Sequence, residues 1–124
     1  VTVAVTPATL TEAQTRARHY LLRHGGTPDE FALYDQLVEE CALALAKPDA
    51  DNLRELRLTM HRDGGMSIGF TAEPGVIGLL HGDQAALRAS LAKLTPAALA
   101  AVMVRRLARV TVNGEAVHVT RNRH

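Results

Sequence analysis

Apolar positions recur at steps of three and four between residues 10 and 24, where Leu10, Ala13, Ala17, Tyr20, Leu21 and His24 share one face. Arg16, Arg18 and Arg23 lie off it. The spacing predicts an amphipathic helix, begun by a capping box at Thr9 and Glu12. Gly25-Gly26 stops it, because glycine accepts the left-handed conformation at a helix end. Thr27-Pro28-Asp29-Glu30 starts a second helix: threonine caps, proline suits the first turn, and the acids meet the positive end of the dipole. Its stripe is Phe31, Tyr34, Leu37, Val38, Cys41 and Leu45. The two-glycine link makes the helices an antiparallel pair. The second is acidic outside (Asp35, Glu39, Glu40) and the first is basic, so ion pairs across the two are expected.

The period then changes to two. Leu56, Leu58 and Met60 alternate with Arg57, Thr59 and His61; Met66, Ile68 and Phe70 alternate with Ser67, Gly69 and Thr71. A three-residue loop at Arg62-Asp63-Gly64 sets Met60 against Met66, Leu58 against Ile68 and Leu56 against Phe70, all on one face. A two-residue loop would set apolar against polar. After Glu73-Pro74-Gly75, the run Val76–Leu80 reads as a strand or a buried connector. Asp83 caps a helix carrying Leu87, Leu91 and Leu94. Asn113-Gly114 between valine-rich runs signals a second hairpin; with those two as the loop, Val110 faces Val117 and Val112 faces Glu115.

Between these elements, Thr95-Pro96 starts a helix that is apolar on nearly every side, from Ala97 to Val104. Such a helix is normally buried. Leu99, Val102, Met103 and Leu107 form its heavy face. Its alanine side (Ala97, Ala98, Ala101, with Val104 beside them) is small enough for another backbone to approach, and is the expected contact with a second copy. The coarse order is αα-ββ-αα-ββ. It predicts one α+β domain over residues 1–124, with helices packed mainly on one face of an antiparallel sheet of four or five strands.

Aromatics are only 3% of the chain and Trp is absent, so the core is aliphatic. One cysteine, Cys41, rules out an intrachain disulfide or a cysteine-based zinc site and suits a cytoplasmic setting. No run approaches the ~20 apolar residues of a membrane span. Residues 1–5 lack the basic start and the length of a signal peptide, so no leader is expected. The net charge of +1 hides a split: +2 over residues 1–27, −7 over 28–83 and +6 over 84–124. Such a split signals either nucleic-acid contact or surfaces that face each other, within a chain or across a dimer.

Two His-x-Asp pairs, His61 with Asp63 and His81 with Asp83, have the chemistry of a divalent-metal site. Asp63 already serves a turn and Asp83 a helix cap, so no metal, cofactor or catalytic residue is expected. The helix, link, second helix and Asn-Gly hairpin over residues 83–121 resemble the helix-turn-helix and wing of winged-helix proteins. In that family the second helix reads base edges in the major groove. Here its leading turns carry Ala97, Ala98, Ala100 and Ala101, which cannot read a base. The resemblance therefore implies phosphate contacts only, through Arg105, Arg106, Arg109, Arg121 and Arg123. The function expected is a non-enzymatic cytoplasmic binding or assembly module, a homo-oligomer or a subunit of a larger complex, with no membrane partner. Nucleic-acid binding is the rival.

Overall fold

Met60 stands opposite Met66 and Leu58 opposite Ile68 in the computed structural model, the register that the alternation demands. The structure describes residues 2–48, 54–62, 65–81, 85, 88–89, 92 and 95–121. Asp63 and Gly64, in the expected loop, lie outside them, as do Asp83, Leu87, Leu91 and Leu94 of the expected helix, while Ala85, Arg88, Ala89 and Ala92 of that stretch are helical. His61 N–H donates to the Gly65 carbonyl at 2.9 Å and closes the hairpin.

Among the described residues, five strands form one antiparallel sheet: β1 (Thr2–Val5), β2 (Leu56–Met60), β3 (Met66–Thr71), β4 (Arg109–Asn113) and β5 (Ala116–Arg121), in spatial order β1-β2-β3-β5-β4. The helices whose bounds are described are α1 (Leu10–Arg23), α2 (Pro28–Glu40), α3 (Pro74–His81) and α4 (Pro96–Leu107). The fold is α+β in the expected order, with β1 added in front. That strand answers the first apolar residues of the chain: Val5 pairs with Leu56 and Val3 with Leu58. Leu56, Leu58, Met60, Met66, Ile68, Phe70, Val117 and Val119 are all buried on the helix side. The other side carries Arg57, Thr59, Ser67, Thr71, Thr111 and His118, the ordinary polar face of an antiparallel sheet.

Three local readings change. Thr9 does not cap α1. Its hydroxyl turns back to accept from the Thr6 backbone N–H at 2.9 Å, and a 3-10 turn (Pro7–Thr9) leads into the helix. Val76–Leu80 belongs to α3 rather than to a strand or connector. Proline at the first position fits a helix start, and Leu79 and Leu80 enter the core together, which a strand of alternating faces forbids. The second hairpin pairs Val110 with Val119 and Val112 with Val117, two residues away from the expected register. Its loop is Gly114-Glu115, with Gly114 at φ 63°. The shift takes Glu115 off the apolar face and sets valine against valine.

The α1–α2 pair forms as expected. Gly25 ends α1 at φ 75°, and the backbone then passes close to Leu21, where the Gly26 N–H donates to the Leu21 carbonyl at 2.8 Å. Thr27 and Glu30 make the capping box reciprocally, at 3.3 Å each way. Arg18 Nε donates to Asp35 at 3.0 Å across the pair, and the carboxylate raises the pKa of the guanidinium further. Beyond α2 the chain widens into a π turn (Cys41–Leu45) that sends Cys41, Ala42 and Leu45 into the core.

Helix α4 is capped by Thr95, whose hydroxyl accepts from the Ala98 N–H at 3.2 Å. It packs on α3, the π turn, α2 and β4. Its alanine side turns inward: Ala98, Ala101 and Val104 are each 0% exposed, and Ala97 is half-buried. The expectation that this side meets a second copy is thereby corrected. The small side chains let α4 approach its own neighbours closely, and the three have no surface left for another molecule.

A Cβ on Gly26 would sit 2.9 Å from Leu21 Cβ, whereas one on Gly78, inside α3, would meet nothing within 4 Å. Gly78→Ala is therefore expected to stabilise the fold by about 0.5–1 kcal/mol, through helix propensity. Gly26→Ala is expected to cost about 1 kcal/mol or more, as a substitution its site cannot accept. Urea unfolding midpoints of the two variants against the parent check both signs.

Candidate interaction surface

The chemistry-bearing residues of the C-terminal third do not converge. Arg105 and Arg106 are exposed in the last turn of α4, where cations complement the negative end of the helix dipole. Arg109 is exposed on the polar face of the sheet, opposite Thr120. Arg121 is half-buried, and its Nη1 donates to the Leu107 carbonyl at 2.5 Å. It thus ties the end of β5 to the end of α4 and satisfies a helix-end acceptor. Arg123 lies outside the described residues. In the leading turns of α4, Ala98, Ala100 and Ala101 are buried while Pro96 and Leu99 are exposed, and the β4–β5 hairpin is held in the sheet by β3.

Arg105 does border a groove. With Leu80, His81, Ala108, Val110 and Val112 it lines a cavity of about 260 Å³ between the helix C-termini and the edge of β4. A neighbouring cavity of about 250 Å³ is lined by Leu79, Val102, Arg105 and Arg106. The outward side of α4 continues from there. Leu99 is 49% exposed, and Val102 and Met103 are partly exposed at helical spacing from it. An apolar strip bordered by arginines therefore lies where two helices and a sheet edge meet.

Among the described residues, no three His, Cys, Asp or Glu side chains gather closely enough to hold a metal ion. His61 instead lies 2.6 Å from Ser67 through Nε2 and Oγ, and its carbonyl accepts from the Tyr20 hydroxyl. This histidine–serine pair was not anticipated, although the register contained it: with Thr59 opposite Ser67, His61 falls diagonally across on the same face. It lies on the polar side of the sheet, where cross-strand hydrogen bonding is the usual role of such a pair. His118 spreads over Gly69 on that same side, where a Cβ would be 3.5 Å from the imidazole. The four aromatic rings of the chain, Tyr20, Phe31, Tyr34 and Phe70, belong to the helices or the inner sheet face. That polar face therefore lacks the rings on which single-stranded bases stack. No family model, no curated protein and no solved structure matches this chain.

Cys41 is wholly buried. Desolvation first, and the nearby Glu40 charge second, push its thiol pKa well above the ordinary range. It is expected to resist a colorimetric thiol reagent at pH 8 in the native chain and to react fully in denaturant. The sign for folding follows. The unfolded thiol ionises at about 8.5 while the native one keeps its proton. Stability therefore falls as pH rises past that value. Unfolding midpoints at neutral and alkaline pH, compared with Cys41→Ala, isolate the effect.

Proposed function

We propose that the chain is a non-enzymatic binding and assembly module. It associates with a second copy of itself, alone or within a larger complex, through the outward side of α4. The observation that carries this reading is Leu99: a large aliphatic side chain half-exposed on a helix whose opposite side is fully buried. Val102 and Met103 extend it into a strip, and a strip of this kind loses unfavourable contact with water on association. The reading differs from the expected alanine contact only in which side of the helix is used. A reducing, cytoplasmic location suits the single free cysteine. Among the described residues, no helix is long and apolar enough to cross a membrane.

Phosphate contact through Arg105, Arg106 and Arg109 is the second reading, supported by the exposure of all three. It requires only charge. Arg121 is already committed to Leu107, which leaves fewer cations for the task than the sequence suggested.

Analytical ultracentrifugation at physiological salt is expected to show a dimer or larger species for the parent chain. Leu99→Glu is expected to shift it to monomer while changing folding stability by no more than about 0.5 kcal/mol, as for an ordinary surface substitution. Ala101→Leu, on the inward side, is expected to cost about 1–3 kcal/mol by overpacking. A parent chain that stays monomeric at every concentration removes the self-association. A salt-dependent shift with DNA, lost when Arg105, Arg106 and Arg109 become alanine, promotes the second reading.

A further inference from the structure

Strand β4 is an edge of the sheet, and its free backbone groups can be assigned. Asn113 and Ala116 flank a two-residue loop, so they form a hydrogen-bonded pair. The alternation of antiparallel pairing gives the same to Thr111 with His118 and to Arg109 with Thr120. Val110 and Val112 are left with N–H and C=O directed away from β5. Among the described residues, β4 pairs with β5 alone. The side chains repeat the story: Val117 and Val119 are buried on β5, while Val110 and Val112 are half-exposed on β4. Arg-Val-Thr-Val-Asn is extended, alternating and free of proline, so nothing in its sequence blocks another strand.

The groove lined by Arg105 and His81 runs beside this edge on the helix side. Among the described residues, no carboxylate lies within ion-pairing distance of Arg105, Arg106 or Arg109. The one acid of residues 84–124, Glu115, sits in the hairpin turn and lies 3.9 Å from Lys47. The edge therefore offers two outward amides and two outward carbonyls beside a groove bordered by Arg105 and His81, with no carboxylate paired to Arg105 among the described residues.

We propose that the β4 edge captures an extended acidic segment of a partner protein as a sixth strand. Alternate side chains of an added strand point into the groove, where a carboxylate meets Arg105 and His81. A second copy is the poorer occupant: β4 against β4 brings two sets of the same cations together and offers valine to the groove. The inference uses a different surface from the outward side of α4 and holds whether or not the chain self-associates.

The test is fluorescence anisotropy of a short labelled peptide of alternating threonine and glutamate, at physiological salt. Binding is expected for this peptide and not for its lysine counterpart. N-methylation of every second peptide amide, on the strand edge that would face β4, is expected to abolish binding, which leaves the protein untouched and so excludes misfolding. Arg105→Ala is expected to weaken binding about tenfold or more, as for loss of a charged hydrogen bond. Three results overturn the proposal: no binding of the glutamate peptide, equal binding of the N-methylated one, or displacement of the peptide when the chain dimerises through β4. Ultracentrifugation of the same samples reads self-association separately, so failure of one proposal does not imitate failure of the other.

Discussion

Antiparallel pairing puts Leu58, Met60, Ile68, Val117 and Val119 on one side of the sheet, and that side must be covered. The described helices answer this demand. Tyr34, Leu37 and Val38 of α2, Leu21 of α1, Leu79 and Leu80 of α3 and Val104 of α4 supply the cover. The π turn after α2 belongs to the same task, since it brings Cys41, Ala42 and Leu45 into one cluster with the sheet. With aromatics scarce, close approach of small and branched side chains replaces anchoring rings.

The cover is uneven, and the unevenness is where binding chemistry collects. The centre of the sheet is sealed, whereas its β4 edge keeps Val110 and Val112 partly open. Helix α4 has one sealed side and one half-open side. Its arginines fall at its C-terminus, beside the same edge, for a reason of local electrostatics as well as position. Among the described residues, the charge split along the chain is bridged where Arg18 with Asp35 joins the first two helices and Lys47 reaches Glu115. Arg105, Arg106 and Arg109 are left facing outward.

Legibility in the sequence tracked the range of the forces involved. Thr27 with Glu30, the stop at Gly25 and the Thr95 cap were all readable, because a cap joins residues three apart. The β2–β3 register was readable because the alternation fixes its parity and, of a two- and a three-residue loop, only the three-residue one keeps six apolar residues on one face. Thr9 misled, since Thr6 offered its hydroxyl an equally local partner. The second hairpin misled because Asn113-Gly114 is a strong turn signal, yet moving the loop by one position pairs the valines and frees Glu115 for Lys47. Val76–Leu80 misled because β-branched residues and a short apolar run suit strand and helix alike.

By itself the sequence determined the α+β class, the two hairpins, the antiparallel helix pair and an aliphatic core, since each follows from periodicity or from chemistry within a few residues. Only the tertiary structure decided which side of α4 is buried. A helix apolar all round carries no directional signal of its own. The choice falls to how closely α2, α3 and β4 can approach it, and small alanines permit a closer approach than leucine and methionine. The same long-range packing placed His61 beside Ser67 and left β4 at an open edge next to Arg105, because those neighbours are far apart along the chain or belong to different elements.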